Sequence, residues 1–222
     1  MEKNGTGILE QYTGSLSHRI EQEYHIGEEL YRGDIKRGLR NSDGTGVPIG
    51  VTRVGSVLGY MIEDGVRIPV PGQLYYRGIE LNEIVEAHRQ AGTFGFEEVA
   101  YLLLMGYLPS RGELDRFNEI MNRARKLPNG FTEDMIMKNP SRNIMNKLAR
   151  SVLSLYSYDE NPDDTSLDNI LLQSVKLVGA FPSIVANAYS VKRHYFEGGS
   201  LHIHFPMEGL SDRKSTRLNS SH

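Results

Sequence analysis

The segment from Ile170 to Val191 is the longest apolar stretch of this 222-residue chain, and it constrains the fold more than any other feature. A stretch of this length suits either a helix that crosses a membrane or a helix that is buried in a protein core. Four polar side chains interrupt it, namely Gln173, Lys176, Ser183 and Asn187. Polar groups are costly inside lipid, and Pro182 is expected to kink the helix. The sequence therefore predicts a buried, bent core helix and no membrane span.

Other segments also have the spacing of apolar residues that is typical of helices. Residues 15–36 predict a loosely amphipathic helix, and helical patterns return after Ile79. The helix that follows Ile79 is expected to end at Gly92, because glycine is common just beyond a helix. The next helix, FEEVAYLLL, is expected to bury one face that contains Phe96, Val99, Leu102 and Leu103.

Capping signals mark the ends of the later helices. Ser110 and Glu113 predict a capping box at the start of one helix. The buried stripe of that helix is predicted to be Leu114, Phe117, Ile120, Met121 and Ala124. The segment NIMNKLARSVLSLYS predicts a further amphipathic helix. Thr165 and Asp168 have the spacing of a cap before the long apolar segment, and Gly198-Gly199 is expected to end that segment.

One region, near residues 48–77, has β-strand patterns. A turn-rich stretch, NSDGTG at 41–46, precedes it. Asp64-Gly65 lies between GYMI and VRIPV, and this dipeptide is typical of a tight hairpin turn with positive φ. A second turn is expected at Pro71-Gly72-Gln73. These patterns predict a mainly α-helical chain with a small β-hairpin region.

Charge and composition exclude several classes of function. The chain has 25 Lys and Arg residues against 28 Asp and Glu residues, and its formal net charge of -3 offers no basic surface to a nucleic acid. The absence of cysteine excludes disulfides, thiolate nucleophiles and cysteine-based zinc sites. Because no apolar run near the amino terminus has the form of a signal peptide, we expect a cytoplasmic protein.

His202 and His204 are the candidate metal ligands. In an extended strand, two residues that are two positions apart point to the same face, and zinc binds imidazole readily. A stable site needs further ligands, but the other histidines are scattered singly and no carboxylate pair is near in sequence. We therefore expect no metal site, and we interpret both histidines as structural or solvent-facing.

Three other patterns could bind an anionic ligand. The glycines of a G-x-G-x-x-x-G pattern resemble a phosphate loop, and they are Gly44, Gly46 and Gly50. No Lys-Ser or Lys-Thr pair and no helical pattern follows them, so a turn is favoured. The basic clusters at 36–40 and 123–126 are more often solvated helix faces. Arginine can form paired hydrogen bonds with a carboxylate, but Tyr75-Tyr76-Arg77 is more simply interpreted as a strand end packed against a helix.

Five segments occur in an informative order along the chain. They are NSDGTGVPIGVTRVGSVLGYMIEDG, PGQLYYRGIELNEIVE, FEEVAYLLLMGYLPSRGELDRF, NIMNKLARSVLSLY and LLQSVKLVGAFPSIVANAYSVKR. This order resembles the amino-terminal half of the citrate synthase family, and the resemblance covers residues 14–210. One departure is Asn143-Ile144, which stands where the family usually has His-Pro before the residue that matches Met145. No role of that family histidine therefore carries over to this chain.

The resemblance implies an almost wholly α-helical, two-domain homodimer. Such an enzyme condenses acetyl-CoA with oxaloacetate to give citrate and CoA in the tricarboxylic acid cycle, so the acyl group becomes an alkyl group on transfer. In the family, an aspartate removes a methyl proton of acetyl-CoA and a histidine stabilises the enol. A second histidine polarises the oxaloacetate carbonyl, and arginines hold its carboxylates. The implied partners are the two substrates, and no cofactor or metal is implied.

The family's catalytic histidines lie in H-x-x-H-G-G and G-x-x-H-G segments, which do not occur in this sequence. The resemblance therefore assigns no catalytic residue, leaves the substrate-binding residues unknown and gives no catalytic role to His202 or His204. We interpret residues 1–210 as the amino-terminal part of an incomplete large domain, and the polar residues 211–222 as a non-native tail. A fragment of this kind is expected to be inactive alone. The alternative is a non-catalytic helical module for binding or interaction.

Overall fold

The structure is a computed structural model that describes residues 3–24, 26–27, 29 and 52–206. Several sequence predictions lie outside these residues, namely most of the second half of the helix at 15–36, the turn at 41–46, Gly44, Gly46, Gly50, the basic cluster at 36–40 and the tail at 211–222. The chain divides into two units. The first contains the described residues 3–17 and 110–206, and the second contains those between 18 and 109.

Helices make up most of the described chain, which confirms the prediction of a mainly α-helical fold. The α-helices are α1 (Lys3–Tyr24), α2 (Leu81–Ala91), α3 (Phe96–Met105), α4 (Arg111–Ala124), α5 (Ile144–Leu155) and α6 (Leu167–Glu197). A π-helical turn (Thr132–Met137) precedes α5, and a 3-10 turn (Tyr156–Tyr158) follows it. The strands are β1 (Gly55–Glu63), β2 (Val66–Tyr76) and β3 (Ile79–Glu80), in that order across one antiparallel sheet.

The hairpin between β1 and β2 turns where the sequence predicts. Asp64 and Gly65 have φ of 49° and 75°, in the left-handed region that a tight two-residue turn requires. The predicted turn at Pro71-Gly72-Gln73 is wrong, because β2 continues through it. Leu58 pairs with Gln73 and Tyr60 pairs with Pro69, so β2 carries two extra residues there. Proline has no amide hydrogen for the strand ladder, which suits a bulge.

A second tight turn, absent from the sequence predictions, lies at Arg77-Gly78. The two residues have φ of 51° and 83°, and Tyr76 pairs with Ile79 across the turn. β3 leads directly into α2, whose first amides are capped by the Glu80 side chain. α2 ends at Gly92 with φ of 64°, as predicted.

The predicted buried face of α3 is partly wrong. Phe96 is exposed, while Val99 and Leu103 are only half-buried. The buried residues are Glu97, Tyr101, Leu102 and Met105. Tyr101 tolerates burial because its hydroxyl forms a 2.7 Å hydrogen bond with the hydroxyl of Tyr107.

The first helix begins much earlier than the predicted range of 15–36. α1 starts at Lys3 and ends at Tyr24, although glycine at positions 5 and 7 disfavours a helix interior. Leu9 and Thr13 are buried four residues apart, and Ile20 is buried further along. Burial of this face therefore outweighs the low helix propensity of the glycines.

Capping residues determine where the helices of the first unit begin and end. The capping box of Ser110 and Glu113 at the start of α4 is confirmed, and Phe117, Ile120 and Met121 are buried as predicted. The predicted Thr165 cap is wrong by one residue, since Ser166 accepts the hydrogen bond from the amide of Asn169. Gly198, with φ of 70°, ends α6 as predicted.

α6 runs through Pro182 and packs against α4, α5 and the π-helical turn. Its buried residues recur at helical spacing, and a core cluster joins them to the π-helical turn: Phe131, Ile136, Ala180, Ile184, Ala188 and Val191. In the described part of the chain, α6 is also the one helix long and apolar enough to cross a membrane. Core helices of soluble proteins have the same length and composition, and the packing of this face favours the predicted core helix.

Candidate functional site

The segment that contains His202 and His204 is held along α6 by two buried polar side chains. The Ser190 hydroxyl accepts a 3.0 Å hydrogen bond from the His202 amide, and the Asn187 carbonyl accepts one of 2.8 Å from the His204 amide. The Asn187 amide group donates in turn to the His204 carbonyl at 3.4 Å. These bonds use the backbone of the segment, so they fix its path along α6.

The segment that contains His202 and His204 is not the extended strand that would direct both imidazole rings to one face. Residues 201–206 form no strand, His202 is exposed and His204 is half-buried. Within the residues that the structure describes, no group of three or more His, Asp or Glu side chains could hold a metal ion.

Tyr75, Tyr76 and Arg77 lie at the end of β2 and in the turn after it. The Arg77 guanidinium donates a 2.8 Å hydrogen bond to the carbonyl of Leu103 in the last turn of α3. The Tyr75 hydroxyl donates to the Gln73 side chain at 3.1 Å. A cation at the carboxyl end of a helix is favoured by the helix dipole. The contacts therefore match the interpretation of a strand end packed against a helix.

The basic cluster at 123–126 is not a uniformly solvated face. Arg123 and Lys126 are exposed, but Arg125 is only 2% exposed. The Arg125 carbonyl accepts a 2.9 Å hydrogen bond from the Ser183 hydroxyl of α6. The two helices can approach closely here because Gly179 has no side chain. The end of α4 is thus a packing site.

Lys147 is a buried basic residue that the sequence analysis missed. It is 3% exposed, and its ammonium donates to the main-chain oxygens of Met135 and Asn139, the second at 3.0 Å. Burial, and to a smaller extent the charge of Arg150, lowers the pKa of this ammonium from 10.5 to about 8. The available signal was its position on the apolar face of NIMNKLARSVLSLYS. A lysine with this pKa could act as a base, but its burial and its two carbonyl bonds make it structural.

His88 was also missed, and it joins the end of α2 to the start of α3. Its Nδ1 lies 2.8 Å from the Thr93 hydroxyl, and its Nε2 lies 3.6 Å from the Glu98 carboxylate. The ring covers Gly95, where an added Cβ would lie 2.5 Å from an imidazole carbon. This arrangement fixes a helix corner.

Comparison with known proteins gives one consistent family. A family model described as citrate synthase, C-terminal domain, matches residues 43–211. The citrate synthase of Corynebacterium glutamicum is 32% identical over 126 residues, which cover 55% of this chain and 27% of that protein. The citrate synthase of Haloferax volcanii is 29% identical over 158 residues, or 69% and 36% of the two chains. A 2-methylcitrate synthase of Mycobacterium tuberculosis is 26% identical over 155 residues, or 70% and 34%. The chain spans about a third of the length of these relatives.

Two solved structures have a similar fold. Citrate synthase from Pyrobaculum aerophilum matches with a TM-score of 0.60 at 24% identity, covering 83% of this chain and 45% of that chain. Citrate synthase from Thermoplasma acidophilum, solved as a ternary complex with carboxymethyl coenzyme A and oxaloacetate, matches with a TM-score of 0.58 at 20% identity, covering 89% and 42%. Because the family model matches well over half of the chain and the fold agrees, this chain belongs to the citrate synthase family.

Proposed function

We propose that this chain is part of a citrate synthase-type acyltransferase that condenses acetyl-CoA with oxaloacetate to give citrate and CoA. The observation that carries the proposal is the family match over residues 43–211. The ternary complex of the similar Thermoplasma acidophilum enzyme supports the pair of substrates. Because 2-methylcitrate synthases are among the relatives, propionyl-CoA should be tested beside acetyl-CoA as the acyl donor.

The proposal gives this chain the role of scaffold and leaves proton transfer to polypeptide beyond the matched segment. In the described residues, the candidate groups are engaged in packing, as seen for Arg77, Lys147 and the backbone of His202. The motifs H-x-x-H-G-G and G-x-x-H-G do not occur in the printed sequence. Each positioned acid or base contributes roughly 10² to 10⁴ in rate, so their loss would bring turnover to background. We propose no cofactor beyond the substrate acetyl-CoA, and a homodimer for the longer protein.

The test is oxaloacetate-dependent release of CoA thiol from acetyl-CoA. The 222-residue chain alone should match a buffer control. The coding DNA beyond the codon for Leu210 should continue into both histidine motifs, and the longer protein that it encodes should release CoA. A stop codon there would favour the non-catalytic module. Turnover by the 222-residue chain itself would contradict the scaffold role and return His202 and His204 to consideration.

A further inference from the structure

Three side chains of different chemistry, here called the corner triad, meet where α2 is followed by α3. They are Thr93, His88 and Glu98. The Nδ1 of His88 lies 2.8 Å from the Thr93 hydroxyl, and its Nε2 lies 3.6 Å from the Glu98 carboxylate. A hydroxyl, a base within hydrogen-bond reach and a third group that orients the base are the parts that activate an oxygen nucleophile.

The neighbours of His88 determine which ring nitrogen carries the proton. An ionised carboxylate only accepts hydrogen bonds, so the tautomer with its proton on Nε2 is the one that suits Glu98. Nδ1 of this neutral ring is an acceptor, and the Thr93 hydroxyl donates to it. His88 can therefore take the hydroxyl proton of Thr93, and the carboxylate stabilises the imidazolium that results.

The imidazole ring is held in one orientation. It lies against Gly95, where an added Cβ would be 2.5 Å from a ring carbon and 2.7 Å from Nε2. The backbone of the turn is also fixed, because the Thr93 amide donates a 3.0 Å hydrogen bond to the His88 carbonyl. A base that is fixed beside its proton donor does not have to be ordered during the reaction.

The hydroxyl of the corner triad is open to solvent, while the base is sheltered. Thr93 is exposed, whereas the side chains of His88 and Glu98 are 16% and 29% exposed. Phe94 and Phe96 follow Thr93 closely and expose apolar surface to a substrate. α3 begins three residues after Thr93, and the positive end of its dipole favours the negative charge that develops on a carbonyl oxygen under attack.

We propose that the corner triad hydrolyses short-chain activated esters, with Thr93 as the nucleophile, His88 as the general base and Glu98 as the positioning residue. The Thr93 oxygen bonds to the ester carbonyl carbon, and its proton moves to Nδ1 of His88. The bond from that carbon to the leaving oxygen then breaks, and the alcohol leaves with the proton. Water cleaves the acyl-threonine in the same way and releases the acid. The reaction uses neither CoA nor oxaloacetate, so it is independent of the proposed condensation.

Hydrolysis of p-nitrophenyl acetate by the 222-residue chain tests this activity. The chain should release p-nitrophenol at least about tenfold faster than a Thr93→Val variant, because a positioned base and its nucleophile contribute at least this much. Mass spectrometry of the parent chain after a short reaction should find an acetyl group on Thr93. Thr93→Ser keeps the hydroxyl and should restore the activity. Equal rates for the parent and Thr93→Val, or acetyl groups on lysines alone, would overturn the proposal.

Variants of the other two residues separate catalysis from folding. His88→Gln should lower the rate as much as Thr93→Val does, and Glu98→Gln should lower kcat while KM stays unchanged. His194→Gln is the matched control, because His194 is an exposed histidine on α6 that contacts the Gly199 carbonyl. It should keep the parent rate, and a loss equal to that of His88→Gln would assign the hydrolysis to histidines in general and overturn the proposal.

Discussion

Gly179 lies where α6 crosses the end of α4, and a methyl group there has no room. An added Cβ would lie 2.5 Å from the Cβ of Ala124 and 3.0 Å from its carbonyl carbon. The nearby hydrogen bond from Ser183 to the Arg125 carbonyl holds the two helices at this separation. The close approach of α6 to α4 therefore depends on the lack of a side chain at Gly179.

Gly179→Ala should lower the free energy of unfolding by about 1 to 3 kcal/mol, because it overpacks a close helix crossing. Urea unfolding of the chain measures the change. Gly112→Ala in α4 is the control, since its Cβ would meet nothing within 4 Å. It should stabilise the chain by up to about 1 kcal/mol through helix propensity. Equal effects of the two substitutions would contradict the steric explanation.

Lys147 should make the stability of the chain depend on pH between about 8 and 10.5. Its native pKa is about 8, while the unfolded value is the ordinary 10.5, so the unfolded state binds more protons in this window. The free energy of unfolding should therefore rise with pH, by on the order of 1 to 3 kcal/mol. Lys147→Met should remove the rise, as urea titrations at successive pH values would show.

Lys138→Met is the matched control for this pH dependence. Lys138 is exposed and paired with Asp134, which raises the pKa of its ammonium above the usual value. A raised pKa in the native state contributes stability that is lost only as pH rises through it. The control should therefore keep the increase between pH 8 and 10.5. If the free energy of unfolding still rose with pH in the Lys147→Met variant, the rise would come from another titrating group.

At the scale of elements, two side chains of α6 determine how the segment 201–206 lies on the helix. Asn187→Ala removes both hydrogen bonds to the backbone of His204. We expect the segment to detach more often and the His202 amide, which still donates to Ser190, to exchange its hydrogen several-fold faster, because exchange follows local opening. Ser174→Ala, which removes an exposed bond to the Ile170 carbonyl, is the control and should leave this exchange rate unchanged.

Elements that depend on a few neighbouring residues were predictable from the sequence. The turn at Asp64-Gly65 needs only two residues that accept positive φ, and the capping box needs only Ser110 and Glu113. The bulge at Pro71-Gly72 looked like a turn, since the same residue types suit both. The choice between a bulge and a turn depends on β1, which lies opposite, since Leu58 pairs with Gln73 and Tyr60 pairs with Pro69.

Features that depend on distant partners could not be predicted in this way. Lys147 is buried because Met135 and Asn139 bring their carbonyls to it, and only the folded chain places them there. Burial of Tyr101 requires the hydroxyl of Tyr107 beyond the end of α3. The path of His202 past α6 likewise depends on Ser190. The contacts of the candidate site could therefore be found only from the structure, whereas the family resemblance could be inferred from the order of motifs in the sequence.

For the whole molecule, the described chain exposes apolar side chains on the hairpin as well as on α5. Val57, Ile62 and Val66 are among the most exposed apolar residues. We expect the 222-residue chain to bind the dye ANS, and the double substitution Val57→Thr with Met61→Thr to reduce the fluorescence. Met61 is 49% exposed and lies four residues from Val57 on β1, so the two side chains share one face of the hairpin, and exposed apolar surface binds such dyes. Threonine keeps the strand propensity. Val85→Thr should change little, and a dye-silent parent chain would contradict the expectation.

The division into two units has a consequence for synthesis on the ribosome. The first unit combines residues at the start of α1 with residues after 110, while the second unit is the continuous stretch 18–109 between them. Leu9 and Thr13 are buried, and the rest of their unit is synthesised only after 92 intervening residues, counted from 18 to 109. At roughly 5 to 20 residues per second, the nascent amino terminus waits about 5 to 20 seconds. During this interval the apolar side chain of Leu9 is made before most of the unit that buries it, so the order of synthesis exposes it to other molecules.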